Sequence, residues 1–140
     1  MKRATRRGST VVEVLFWAAA IGSVAATIAY SLGPVPGALN DFPLADKVFH
    51  TLAYAAMTAT WLLAVVWRPG RGDGIAPRQA TSIVVGAVIL GAAMEIAQHF
   101  VERHADPFDA VADAAGALLG LAAWAALKAA FGRRAGVPAD

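Results

Sequence analysis

Residues 46–67 read DKVFHTLAYAAMTATWLLAVVW, and this stretch decides the fold. It begins with Asp46 and Lys47, has a histidine at position 50, and carries no charge over residues 51–67. An α-helix needs about 20 predominantly apolar residues to cross the ~30 Å hydrocarbon core of a bilayer. The stretch therefore predicts a transmembrane helix whose first turns carry polar residues.

Three further segments have a similar length and apolar character: residues 11–32, 79–101 and 107–127. The last two reach membrane-spanning length only if Glu95, Asp109 and Asp113 are counted inside them. Connections rich in turn-forming residues, or short and polar, separate the segments. We predict an all-α membrane protein in which four antiparallel transmembrane helices form a compact bundle.

Composition supports the membrane assignment and excludes several classes of function. Of the 140 residues, 58% are apolar and the mean hydropathy is +0.55, whereas soluble domains are about 45–50% apolar. The net charge is only +2, and the basic residues are not clustered as a nucleic-acid-binding face, so a nucleic-acid partner has little support. The chain has no cysteine, which excludes disulfides, thiolate metal sites and cysteine nucleophiles.

We divide the chain into a basic N-terminus at residues 1–10, a four-helix domain at 11–132, and a C-terminal tail at 133–140. A cleaved signal peptide is the alternative interpretation of the first segment, because basic residues precede it. Its apolar run, however, is longer than the ~7–15 residues typical of a signal peptide.

The basic residues also predict the orientation. Ten of the twelve Lys and Arg residues lie at the N-terminus, in the loop at residues 68–78, or near the C-terminus. A four-helix topology puts these three regions on the same side, which the positive-inside rule makes cytoplasmic. We therefore expect both termini in the cytoplasm.

Polar residues gather at the opposite, outward-facing ends of the helices. Helical periodicity places them on one face of each of three helices: Asp46, His50 and Tyr54 on the second with Lys47 beside them, Glu95 and Gln98 on the third, and Asp109 and Asp113 on the fourth with Gly116 and Gly120.

Some of these residues have a simple structural explanation. Carboxylates at Asp46 and Asp109 would stabilise helix N-termini, and Gly116 and Gly120 have the spacing of closely packed membrane helices. Others lie too deep to cap a helix: Glu95, Gln98 and Asp113. Burying such groups without partners is costly, so we interpret them as a functional or paired set.

The set is compatible with several chemistries. It could form a headgroup pocket, with His50, Lys47 and Arg103 meeting phosphate and the acids meeting sugar or peptide donors. Carboxylates near a neutral histidine could also move protons in catalysis, hold a hard metal ion or form an ion path.

Two motifs resemble a known family. The sequence DKVFHTLAY at residues 46–54 resembles the opening of the second helix in VanZ-like proteins. The sequence MEIAQHFVER at 94–103, followed by Asp109 and GALLG at 116–120, resembles a second block of that family. The similarity covers residues 44–127. It implies a small multi-pass protein of the bacterial cytoplasmic membrane, from a family whose founding member is associated with teicoplanin resistance.

Carried over by position, the family's polar residues are Asp46, Lys47, His50, Tyr54, Glu95, Gln98, Arg103, Asp109 and Asp113. We predict that they bind an amphipathic molecule at the outer leaflet, either a lipid-linked envelope precursor or a lipidated glycopeptide antibiotic. We expect no cofactor and no metal, and a homo-oligomer is compatible with the sequence. The alternatives are an intramembrane enzyme with Glu95 or His50 as general base, and a structural subunit of an envelope complex.

Overall fold

A computed structural model of the protein describes residues 2–33, 44–67, 75–101 and 106–132, with side chains from residue 10 to residue 130 within those ranges. The described residues form four helices, α1 (Lys2–Leu32), α2 (Ala45–Val66), α3 (Pro77–Gln98) and α4 (Pro107–Gly132). The predicted all-α class and helix number are therefore confirmed for this part of the chain. The tail at 133–140 and the residue Arg103 lie outside the described residues.

The predicted boundaries of α2, α3 and α4 agree with the structure to within a few residues. The helix α1 differs, because it begins at Lys2 rather than at residue 11. Lys and Arg are good helix formers, so the basic segment continues the helix, whereas hydropathy detects only its apolar part. At α4, Asp106 accepts a hydrogen bond from the Phe108 N–H (3.0 Å), as an N-cap residue before a proline at the first helical position does.

Each helix is long and apolar enough to cross a membrane, over Thr10–Leu32, Ala45–Val66, Pro77–Gln98 and Pro107–Ala130. Large apolar side chains such as Leu15, Ile89 and Leu118 lie exposed on the outer faces. Exposed apolar surface of this extent is unfavourable in water and favourable in lipid. Both findings indicate a multi-pass membrane protein.

Aromatic contacts define the packing of α1 against α2. Phe16 lies 5.3 Å from Trp67 between ring centroids, and Tyr30 lies 6.0 Å from Phe49. Early residues of α1 therefore contact late residues of α2, and late residues of α1 contact early ones.

The most extensive helix contact is between α2 and α4. Glycine makes it close: a Cβ on Gly116 would collide with the Thr51 carbonyl oxygen, and one on Gly120 would lie 2.5 Å from the Ala55 oxygen. The backbones of α2 and α4 thus touch where the sequence predicts a small-residue packing face.

These contacts bring the first turns of α2 and α4 beside the last turns of α1 and α3. Lys47 of α2 contacts Asp109 of α4, and Gln98 of α3 contacts Ser31 of α1. We call this region the site end. It gathers polar groups from all four helices.

Candidate functional site

The helix α2 contributes three polar side chains along one face, as its i, i+4, i+8 spacing predicts. His50 and Tyr54 are buried, with relative exposures of 4% and 1%. Asp46 is one turn nearer the helix start, and its side chain is 50% exposed. The face therefore runs from a solvent-accessible rim at Asp46 into the interior at Tyr54.

His50 is held between carboxylates on both sides of its ring. Its Nδ1 lies 2.8 Å from Asp113 Oδ1, and both side chains are buried. Its Nε2 lies 3.8 Å from Asp46 Oδ1 and 3.9 Å from Asp109 Oδ2. The hydrogen bond to Asp113 fixes the orientation of the ring and directs Nε2 towards the rim.

Lys47 is engaged by two carboxylates. Its ammonium group donates to Asp106 Oδ2 at 2.6 Å and to Asp109 Oδ1 at 2.8 Å. The sequence-based expectation was that Lys47 contacts a phosphate of the ligand. That role stays a prediction; in the structure Lys47 joins the start of α2 to the start of α4, because Asp106 and the buried Asp109 both lie within reach.

Glu95 of α3 lies at a groove between α3 and α4. The α3–α4 groove has a volume of about 670 Å³, and most of the residues that line it are apolar. The complete lining consists of Ala92, Glu95, Ile96, His99, Phe100, Pro107 and Ala110. Both carboxylate oxygens of Glu95 are buried, and neither finds a hydrogen-bond partner among the described residues. An apolar groove with a carboxylate residue in its lining suits a ligand with a polar head and an apolar tail.

Other buried oxygens near Glu95 share this lack of partners. Gln98 donates through Nε2 to the Ser31 carbonyl at 3.0 Å, yet within the described ranges its Oε1 is unpaired. Tyr54 OH and Asp113 Oδ2 are also buried and unpaired there. Leaving such a group unsatisfied costs about 1–3 kcal/mol, so the described residues of the site end can accept further hydrogen bonds.

The described part of the site end is strongly acidic. Within the described ranges it contains one ammonium group, that of Lys47, and five carboxylates. The carboxylates belong to Asp46, Glu95, Asp106, Asp109 and Asp113. Two overlapping groups place one ligand atom from each member within 4.8 Å of the others: Asp46, His50 and Asp109, and His50, Glu95 and Asp113. An electropositive group would fit here better than an anion.

Of the nine residues predicted for the site, eight are described, and the structure gathers them at the site end. The ninth, Arg103, cannot be placed because it lies in the undescribed range 102–105. Sequence reasoning missed Ser31, whose backbone carbonyl binds Gln98. It also missed Gly91, where a Cβ would lie 2.7 Å from Asp113 Oδ2. Neither residue carries a chemical signal in the sequence.

A second cleft lies farther from the site end, between α1, α2 and α3. It has a volume of about 330 Å³, and Val24, Met57, Trp61 and Leu90 are among its lining residues. Most of its lining is apolar, as in the α3–α4 groove, but none of the described residues that line it is ionisable.

Comparison with models of known protein families, with curated proteins and with solved structures found no match for this chain.

Proposed function

We propose that the protein crosses the membrane as an antiparallel four-helix bundle with both termini in the cytoplasm. The basic residues near both termini and in the 68–78 connection support this orientation through the positive-inside rule. The site end then lies at the outer leaflet. An acidic cluster on that side is compatible with the rule, because acidic residues contribute little to it.

We further propose that the site end binds an amphipathic molecule from the outer leaflet. The observation that carries the proposal is Glu95, whose two buried carboxylate oxygens have no hydrogen-bond partner among the described residues. A headgroup hydroxyl, amine or amide would satisfy these oxygens. The apolar lining of the α3–α4 groove, including Ile96 and Phe100, would hold the adjoining chain.

The VanZ-like motifs narrow the candidate ligands. They favour a lipid-linked envelope precursor or a lipidated glycopeptide antibiotic, and a role similar to teicoplanin resistance. Both ligand classes join an acyl or polyprenyl chain to a headgroup rich in hydroxyl and amide donors. Such donors complement the acceptor oxygens of Glu95, Gln98 and Asp113.

A second candidate is an enzyme that acts on a lipid headgroup. The pair His50 and Asp113 favours it, because a carboxylate 2.8 Å from one ring nitrogen orients the other nitrogen for proton transfer. In this version Nε2 of His50, near the accessible Asp46, is the general base. The ligand would then change in mass with time instead of remaining bound.

Native mass spectrometry of the protein in mild detergent tests the proposal. The wild type is compared with Glu95→Gln, which removes the charge but keeps the shape. Glu13→Gln is the matched control, because Glu13 lies in the opposite half of α1 from Ser31. We expect a bound lipid in the wild type and the control, and its loss in Glu95→Gln. Equal lipid occupancy in all three proteins would contradict a site at Glu95.

A further inference from the structure

The buried part of the site end contains more acceptors than donors. Within the described residues, its unpaired oxygens are Glu95 Oε1 and Oε2, Gln98 Oε1, Asp113 Oδ2 and Tyr54 OH. The amide of Gln98 already donates to Ser31, and His50 Nδ1 lies at hydrogen-bond distance from Asp113. Hydrogen bonds made within the described residues therefore leave the oxygens of Glu95, Gln98 and Asp113 unsatisfied. The Tyr54 hydroxyl can donate to one of them, and a positively charged species would satisfy the others.

Three of the side chains converge closely enough to share one ion. His50, Glu95 and Asp113 each offer one ligand atom, and these atoms lie within 4.8 Å of one another. Ligand atoms at about 2.0–2.2 Å from a tetrahedral ion lie about 3.3–3.6 Å apart. A shortening of each separation by about 1.5 Å or less, at side-chain termini, would thus bring the three atoms onto a single ion.

We propose that His50, Glu95 and Asp113 form a binding site for a divalent transition-metal ion. Mixed imidazole and carboxylate ligands suit Zn²⁺ and Mn²⁺, whereas Ca²⁺ and Mg²⁺ prefer sites made of oxygen ligands alone. The three residues come from α2, α3 and α4, so the ion would join three helices at the site end.

Two buried side chains outside this trio support the proposal independently. Tyr54 is 1% exposed and its hydroxyl is unpaired in the part of the chain that the structure describes; its charged neighbours include Asp113 and Glu95. Gln98 is 3% exposed, lies one helical turn beyond Glu95, and has an unpaired Oε1. Both provide neutral oxygens that can coordinate an ion or hold a water bound to it.

The inference deepens the proposed function and rests on it for its biological role. Lys47 is already held by two carboxylates, so the described part of the pocket would by itself repel a phosphate. A bound divalent ion would neutralise the charges of Glu95 and Asp113, and its open coordination positions would accept phosphate oxygens. The headgroup would then carry a phosphate or diphosphate held by the metal, and its hydroxyl or amide groups would donate to the acceptor oxygens that the ion leaves free.

Metal titration of the purified protein tests the site without any lipid. The protein is stripped with a chelator and desalted, ZnCl₂ or MnCl₂ is added, and bound metal is counted by inductively coupled plasma mass spectrometry. We expect about one ion per chain, and an affinity reduced at least about tenfold in Asp113→Asn and in His50→Ala. Metal addition should also raise the unfolding temperature of the wild type, a readout that needs no variant.

Two controls separate this site from adventitious binding. His99 lies on the same helix as Glu95 and lines the α3–α4 groove, but it is not one of the three proposed ligands. His99→Ala should therefore keep full metal affinity. Glu13→Gln should also keep it. Wild-type protein that binds no stoichiometric metal, or Asp113→Asn that binds it as well as the wild type, would overturn the proposal. Loss in His99→Ala instead would assign the ion to the surface.

The two proposals fail in distinguishable ways. If lipid stays bound after chelation and no metal binds, the lipid site stands and the metal site does not. If one metal binds but no lipid is found in the wild type, the metal site stands and the lipid function fails. If both are right, chelation should release a phosphate-bearing lipid.

Discussion

Individual charged residues connect α2 to α4 at the site end. Lys47 reaches Asp106 and Asp109, and His50 reaches Asp113 one turn deeper. Asp109 is buried, so its charge depends on these partners for stabilisation. A buried carboxylate that loses its partner is strongly destabilising, whereas loss of both charges is tolerated better.

Replacing Lys47 should therefore weaken the bundle. We expect Lys47→Met to lower the free energy of unfolding by about 1–3 kcal/mol, because Asp109 is left without its ammonium partner. The double variant Lys47→Met/Asp109→Asn should recover part of that loss. Unfolding in mixed micelles, followed by circular dichroism, measures both changes. If the double variant loses as much free energy of unfolding as Lys47→Met and Asp109→Asn lose in sum, the pair is not coupled.

Much of the site was predictable from residue spacing. Asp46, His50 and Tyr54 share a face because they lie four residues apart, and any helix would align them. The partners were not predictable in the same way. Which carboxylate meets Lys47 depends on the rotation and axial offset of α4 against α2, and periodicity within one helix carries no information about either.

At the scale of the helices, α2 and α4 approach closely because glycine lies where their backbones meet. A Cβ on Gly116 or Gly120 would meet a carbonyl oxygen of α2, at Thr51 or Ala55. Backbone oxygens in a helix cannot move aside as a flexible side chain can. The contact therefore fixes the distance between the helices that carry most of the site.

Alanine at these positions should separate the two helices. We expect Gly116→Ala and Gly120→Ala each to reduce the free energy of unfolding by about 1–3 kcal/mol through overpacking. The matched control is Gly22→Ala on α1, where a Cβ would meet no described atom within 4 Å. Thermal unfolding in detergent compares the three. Similar melting temperatures for Gly120→Ala and Gly22→Ala would contradict the close contact.

Gly91 of α3 makes a different contact, with a side chain of the site. A Cβ there would lie 2.7 Å from Asp113 Oδ2 and would push that carboxylate away from His50. We expect Gly91→Ala to reduce Zn²⁺ affinity at least about threefold, with the protein still folded, because every metal ligand is retained but Asp113 is displaced. Gly86→Ala on the same helix, where a Cβ has open space among the described residues, should leave Zn²⁺ titrations unchanged. Equal affinity in the two variants would argue against this role of Gly91.

Hydropathy predicted the helices well because a membrane span has a strict length and composition requirement. It missed the basic first turns of α1, since charge lowers hydropathy without breaking a helix. Hydropathy also could not predict that Gly91 lies against Asp113, because that contact depends on how α3 and α4 pack. Elements were therefore more predictable than the contacts between them.

For the whole molecule, the proposed topology has a direct test because the native chain has no cysteine. Single cysteines are introduced by Thr10→Cys, near the N-terminus, and by Val101→Cys, just after α3. A membrane-impermeant maleimide added to intact cells should label only Val101→Cys, and both should react after permeabilisation. Labelling of Thr10→Cys alone in intact cells would reverse the proposed orientation.

The most direct test of the central claim asks what lies in the α3–α4 groove. A photoreactive phenylalanine analogue replaces Phe100 in the groove. As a control, the same analogue replaces the exposed Val11, which lies in the half of α1 that is farther from the site end. After irradiation of cells, mass spectrometry identifies the attached molecules. We predict one lipid species at position 100 that disappears when Glu95→Gln is added, and mixed bulk lipids at position 11. The same mixture at both positions, unchanged by Glu95→Gln, would contradict a specific ligand site.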